Sequence, residues 1–223
     1  MDGAPLGYLE YLPPGYGDGE RRPLLVFLHG SGERGDGSAA DLRNVFKLGI
    51  PQLIQDDEWP ESRPFVVLAP QYGFQRGEDC LLADDVDAFL RFAVDHYEAD
   101  EERVYLTGVS CGAIGAWDYL AEHGDGTVAG AVLVAGHAVD ALAEAGCALG
   151  RVPVWAFHGE ADDIVPKRYI EEPVERLKAC DDPPPEDVRL TLFPGVGHDA
   201  WDPAYDATDG DDIYAWLLGH RRD

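Results

Sequence analysis

The pentapeptide Gly108-Val109-Ser110-Cys111-Gly112, directly after the apolar run Val104-Tyr105-Leu106, constrains this chain more than any other stretch. It reads as a strand that turns abruptly into a helix. Such a turn drives its central residue into strained backbone angles and lifts that side chain clear of the sheet, so the positions two before and two after must be almost free of side chain. Gly108 and Gly112 meet that demand around Ser110, whereas Cys111 has Val109 and Ala113 at the same offsets. Ser110 is therefore the candidate nucleophile.

Two segments downstream supply what a serine nucleophile needs. An apolar run over 152–157 leads into a polar loop carrying Asp162 and Asp163, and a second run over 188–193 leads into a glycine-containing loop carrying His198. A serine hydroxyl is a poor nucleophile at neutral pH. A histidine must take its proton during attack and return it to the leaving group, and a carboxylate must hold the imidazole in the productive tautomer. Ser, then Asp, then His, each just past the carboxyl end of a strand, is the chain order of α/β-hydrolase triads. His198 is the candidate base; Asp162 or Asp163 is the acid.

Four motifs in order, from Leu24 to Trp201, make the chain similar to the α/β-hydrolase superfamily. Within it, the chain resembles the small esterases of the phospholipase/carboxylesterase group, including dienelactone-hydrolase-like and predicted-peptidase-like proteins. The motifs are Leu24 to Gly35 with its His29-Gly30-Ser31-Gly32 loop, the Gly108 to Gly112 turn, His158 to Asp162 ahead of Val165-Pro166, and Gly197 to Trp201. The resemblance implies an α/β fold, a mostly parallel twisted sheet flanked by helices on both faces, with little or no cap. It places nucleophile, acid and base on Ser110, Asp162 and His198, with Asp163 the less favoured acid. It implies an oxyanion hole made by the backbone N–H groups of Cys111 and Ser31, Gly32 being the less favoured donor. The activity implied is hydrolysis of carboxylic esters through an acyl-enzyme. A peptidase or thioesterase on the same scaffold remains an alternative, as does a binding protein that kept the fold and lost the chemistry.

Other residues receive plainer expectations. His29 and His158 are expected to order their loops by hydrogen bonding, Asp199 to be solvated, and His96, His123, His137 and His220 to be ordinary helix or loop residues. Trp117 and Trp155 are expected in the core. Tyr72 and Trp201 are expected to line an acyl or alcohol pocket. Cys80, Cys111, Cys147 and Cys180 are scattered without a Cys-x-x-Cys pair, so neither a zinc site nor a redox motif is indicated and free thiols are expected. No Walker loop or dinucleotide fingerprint follows the first strand. No metal and no cofactor is implied.

Composition bounds the rest. With 223 residues and 45% hydrophobic content the chain can bury the core of one domain over 1–223, and it is short for a hydrolase with a separate cap. No apolar run approaches the roughly 20 residues of a membrane span, and the opening Met1 to Leu6 lacks a charged and apolar leader, so a cytoplasmic setting is expected. The net charge of −26 opposes binding to nucleic acid or anionic membrane and says nothing of oligomeric state; the partner that the resemblance implies is a small-molecule ester. Lysine appears only as Lys47, Lys167 and Lys178, while aspartates recur in pairs. That balance resembles proteins from salt-loving archaea.

The apolar patterning predicts strands over 7–12, 23–28, 65–69, 104–106, 128–134, 152–157 and 188–193. Helices are expected over 42–54, 82–97, 113–122 and 211–220, and loops over 35–41, 72–80 and 135–150.

Overall fold

A computed structural model of the protein describes residues 3–73, 80–124, 126–206 and 210–222. Its seven strands are β1 Tyr8–Tyr11, β2 Arg22–Leu28, β3 Val66–Pro70, β4 Ala99–Val109, β5 Gly130–Val134, β6 Val154–Gly159 and β7 Val188–Phe193. Seven α-helices accompany them: α1 Gly49–Gln55, α2 Ala83–His96, α3 Cys111–His123, α4 Val139–Ala145, α5 Arg168–Lys178, α6 Trp201–Asp206 and α7 Ile213–Leu218.

The strands form one sheet in the order β1-β3-β2-β4-β5-β6-β7. Only β1 runs antiparallel, paired with β3 at the edge. The remaining pairings are parallel. Because β2 pairs with both β3 and β4, the chain reverses its direction of advance there. Such a switch opens a crevice at the carboxyl ends of the strands, where ligands bind in open α/β sheets. The turn after β4 opens there.

Strand side chains alternate between two faces, and each face is covered. Leu24, Val26, Leu28, Leu106 and Leu133 pack under α2, α3, α4 and α5, around Phe89, Trp117 and Val174. Leu25, Phe27, Tyr105, Val132 and Phe157 pack on the opposite side under α1, α6 and α7, around Tyr205 and Tyr214. Helices on both faces explain why the strands are continuous apolar runs: β3, β5 and β6 are buried at every position. Trp117 and Trp155 are buried, as expected for core residues.

The helix expected over 42–54 is broken in two. A 3-10 helix covers Asp41–Lys47, and α1 starts afresh at Gly49. Gly49 adopts φ +62, and a Cβ on it would fall 2.8 Å from the Phe27 ring, so close packing at a left-handed residue interrupts the helix. Helices α4, α5 and α6 were not expected. In α5 the apolar spacing Ile170, Val174, Leu177 fits one helix face, but Pro173 stands inside it and six of its eleven residues are charged. Among the described residues no helix is long and apolar enough to cross a membrane.

The cysteines correct the expectation of free thiols. Cys80 is bonded to Cys111, and Cys147 to Cys180, with Cα separations of 4.9 and 5.8 Å. The partners lie 31 and 33 residues apart in sequence. Spacing rules for short cysteine motifs do not register partners that α/β crossovers bring together.

Candidate active site

The site is built at the carboxyl ends of four parallel strands. Ser110 follows β4 with φ 51 and ψ −119, one of three positive-φ residues other than glycine among the described residues. Such a conformation costs on the order of 1–3 kcal/mol and persists only where the surroundings enforce it. Here they do. A Cβ on Gly108 would come within 2.7 Å of the Gly112 backbone, and one on Gly112 within 2.1 Å of the Leu28 carbonyl oxygen. The backbone N–H of Ser110 donates to Val134 O on β5 at 2.9 Å, and Ile114 N–H donates to Ser110 O at 3.0 Å, which starts α3.

His198, in the loop after β7, reaches this serine: its Nε2 lies 2.9 Å from Ser110 Oγ, and its Nδ1 lies 2.7 Å from Asp162 Oδ2. A carboxylate can only accept, so in the neutral ring Nδ1–H donates to Asp162 and Nε2 is left to accept the Ser110 hydroxyl. The Asp162 side chain is fully buried, whereas that of His198 is 14% exposed. Asp162 Oδ1 accepts from Ile164 N–H and Val165 N–H, both at 2.9 Å. Asp163 is exposed. Of the two carboxylates, the structure brings Asp162 to the imidazole.

The loops that carry Asp162 and His198 are in backbone contact. Glu160 N–H and Ala161 N–H donate to Phe193 O and Val196 O. A Cβ on Gly159 would fall 2.0 Å from Gly197 O and 2.4 Å from Val196 O. Only glycine allows β6 to end this close to the base loop.

The loop after β2 forms the opposite wall. His29 is fully buried and its ring stacks on Tyr72, with centroids 4.1 Å apart and planes 8° from parallel. His29 Nδ1 lies 2.6 Å from Gly30 O, so it donates, while Nε2 accepts from Tyr72 N–H at 3.1 Å. Both ring nitrogens are thereby used in holding the loop, and burial lowers the imidazole pKa to about 4. Tyr72 is corrected as a pocket-lining residue. It is 1% exposed, and its hydroxyl donates to His29 O at 3.1 Å, so it is enclosed under the loop.

From that support, Gly30 approaches the serine. A Cβ on Gly30 would be 3.7 Å from Ser110 Cβ and 3.1 Å from Glu33 Oε2. Ser31 opens a 3-10 turn, Ser31–Glu33, beside the serine, and Cys111 is the first residue of α3. Glu33 itself is 8% exposed, and burial raises its carboxyl pKa. Trp201, the other expected pocket residue, meets the His198 ring edge-on at 5.6 Å. It borders a hollow of about 210 Å³ shared with Leu53, Tyr205, Glu58, Asp202 and Asp206.

Gln71 was missed by sequence reasoning. Its amide donates to Glu33 O and Asp41 O at 2.8 Å each and accepts from Gly37 N–H at 3.1 Å, bracing the whole 33–41 loop. A buried polar residue closing an all-apolar strand was the available signal. The Cys80–Cys111 bridge, which ties the first residue of α3 to the segment before α2, left no such signal.

No curated protein matches the sequence. A thermostable esterase is 26% identical with a TM-score of 0.69; the match covers 96% of this chain, which spans only 59% of that one. Thermogutta terrifontis esterase 2, phosphoramylated by tabun, is 19% identical with a TM-score of 0.66, over 98% of this chain and 91% of its own. A putative dienelactone hydrolase from Klebsiella pneumoniae subsp. pneumoniae MGH 78578 is 18% identical with a TM-score of 0.65, over 95% and 92%. At such identities the last two likenesses concern the fold alone. The model of the dienelactone hydrolase family matches residues 61–210, which is 150 of the 223 positions. The chain belongs to the dienelactone hydrolase family, within the α/β-hydrolase superfamily.

Proposed function

We propose that this protein is a serine esterase that hydrolyses small carboxylic esters through an acyl-enzyme. The observation that carries the reading is the unbroken relay from Ser110 Oγ to His198 Nε2 at 2.9 Å and from His198 Nδ1 to Asp162 Oδ2 at 2.7 Å. In this reading Ser110 Oγ attacks the ester carbonyl as its proton passes to His198 Nε2. The imidazolium is stabilised by buried Asp162 and then protonates the departing alkoxide. Water, deprotonated by His198 in turn, releases the acid from the serine.

The oxyanion is assigned to the backbone N–H groups of Cys111 and Ser31, with Gly32 as the alternative to Ser31. Support comes from their positions at the start of α3 and in the turn that Gly30 brings against Ser110. One such donor is worth about 10²–10³ in turnover.

The exposed side chain of Ile164, at 69% in the loop that follows Asp162, and the net charge of −26 bear on the substrate. They favour a neutral ester with an apolar portion over an anionic one. Amide and thioester carbonyls would meet the same groups, so p-nitrophenyl esters of increasing acyl length, a thioester and a peptide amide should be assayed side by side. The reading expects a fluorophosphonate to label Ser110 alone, and Ser110→Ala to lower ester turnover by several orders of magnitude while the protein stays folded. Labelling that persists in Ser110→Ala would overturn it.

A further inference from the structure

His158 is the last polar side chain of β6 and is fully buried. Its Nε2 lies 2.7 Å from Val165 O and 3.2 Å from Asp162 Oδ2. Both neighbours are acceptors, so Nε2 carries the proton; it donates to Val165 O, with Asp162 Oδ2 beside it. Val165 returns the connection, because its own N–H donates to Asp162 Oδ1 at 2.9 Å. Oδ2, the oxygen that His198 reaches, is thus also the oxygen facing His158.

The far side of the ring bears on its charge. Among the described residues, His158 Nδ1 is buried with no hydrogen-bond partner. In the neutral ring that atom is a bare lone pair, whereas protonation would bury an unsatisfied N–H and cost its full desolvation. Burial accordingly lowers the imidazole pKa, opposed by the Val165 carbonyl and by Asp162. The ionisable groups facing this cluster are Asp162 on the acid loop, His198 on the base loop and, farther off, Glu171 on α5, with Asp199 next to His198 in sequence and exposed.

We propose that His158 is a positioning residue for the acid–base pair. It holds Asp162 in place through Val165 and sets the positive edge of its one N–H beside the carboxylate oxygen that receives His198. The proposal rests on the esterase reading above and goes further, because it gives His158 a share in setting the basicity of His198. An N–H dipole beside Oδ2 stabilises the charge on that oxygen and so limits how strongly Asp162 stabilises the imidazolium. Without it the carboxylate is more basic, the His198 imidazolium is favoured, and the working base is lost at a higher pH.

The test compares His158→Leu, which has no donor, with His158→Gln, whose amide can place an N–H near the position of Nε2. For His158→Leu we expect kcat to fall about tenfold or more with KM changed less than about threefold, since misplacement of a catalytic group acts on the chemical step. The acid limb of the kcat/KM profile should move up by about half a unit or more, and His158→Gln should restore both. Active-site titration with a fluorophosphonate normalises each rate to competent serine.

A folded His158→Leu variant with the wild-type acid limb would overturn the proposal, whether or not kcat fell, because a merely structural role lowers rate without moving that limb. Wild-type protein carrying 15N-labelled histidine gives an answer independent of folding defects. His158 should be a neutral Nε2–H tautomer at pH 7, and its resonances should shift when a phosphonate occupies Ser110. A charged ring, an Nδ1–H tautomer or an unresponsive His158 signal overturns it. Failure of the esterase reading would show separately, as ester turnover retained in Ser110→Ala.

Discussion

Adding a single methyl group at Gly159 is expected to uncouple the acid from the base. The Cβ of Gly159→Ala would start 2.0 Å from Gly197 O, 2.4 Å from Val196 O and 2.9 Å from Val196 C. All are backbone atoms, so no side chain can rotate away. An ordinary carbon–oxygen contact begins near 3 Å, so the loop bearing His198 must retreat by about 1 Å or more. A retreat of that size stretches the 2.7 Å bond from His198 to Asp162 beyond the limit of a hydrogen bond. Misplacement by about 1 Å costs roughly 10² in turnover. Overpacking also costs about 1–3 kcal/mol, which for a chain of this size lowers the unfolding midpoint by roughly 2–12 °C.

Gly197→Ala is the matched control in the same loop. Its Cβ would meet only Asp199 Oδ1 at 3.6 Å, an ordinary contact. The assay is kcat/KM on a short-chain p-nitrophenyl ester for both variants, with thermal unfolding alongside. Gly159→Ala should lose about two orders of magnitude and Gly197→Ala less than about threefold. Equal activities in the two variants would refute the reasoning, because they would mean the loops separate without consequence for the pair.

Three further outcomes follow from the site and the surface. Asp162→Asn should disable turnover by allowing the wrong imidazole tautomer, while Asp163→Asn, exposed and away from the ring, should stay within about tenfold in the same ester assay. His29 binds its proton only near pH 4 when folded but near 6.5 when unfolded, so the stability from keeping it neutral is fully present above 6.5 and is lost between 6.5 and 4. That loss is roughly 3 kcal/mol. Asp118, whose carboxyl burial pushes up to about 6, acts with the opposite sign in that window, so the difference in melts between wild type and His29→Gln isolates His29; identical pH slopes would remove its role. Finally, we propose that the −26 charge reflects salt adaptation, in which case the unfolding midpoint should keep rising from 1 to 3 M KCl, where screening is already saturated. A flat or falling midpoint over that range would discard salt adaptation and leave the esterase reading intact.

The parts of this molecule that could be read in advance are those specified by local rules. The Gly108 to Gly112 turn was legible because each glycine answers a steric demand within five residues, and β7 because its apolar run is bounded by polar turns. Helix α5 escaped because Pro173 and its charges mask an apolar face of only three or four side chains. The break at Gly49 depends on the Phe27 ring, which lies more than twenty residues earlier in the chain. Tyr72 looked like a pocket wall because it follows a strand, yet its ring finds His29, itself at the end of the neighbouring strand. Disulfides, the Gln71 brace and the contact of Gly159 with Gly197 are all long-range facts that no window of sequence contains.

The bridge from Cys80 to Cys111 has a chemical consequence for the turn it adjoins. A free thiol at Cys111 would stand at the amino end of α3, one residue from Ser110, where helix amides favour its ionised form. As a buried thiolate it would set a negative charge one residue from Ser110. Bonded to Cys80, the sulfur has no proton to lose and no thiolate to offer. Oxidation therefore keeps an ionisable sulfur out of the turn, and a reducing environment would put one beside Ser110.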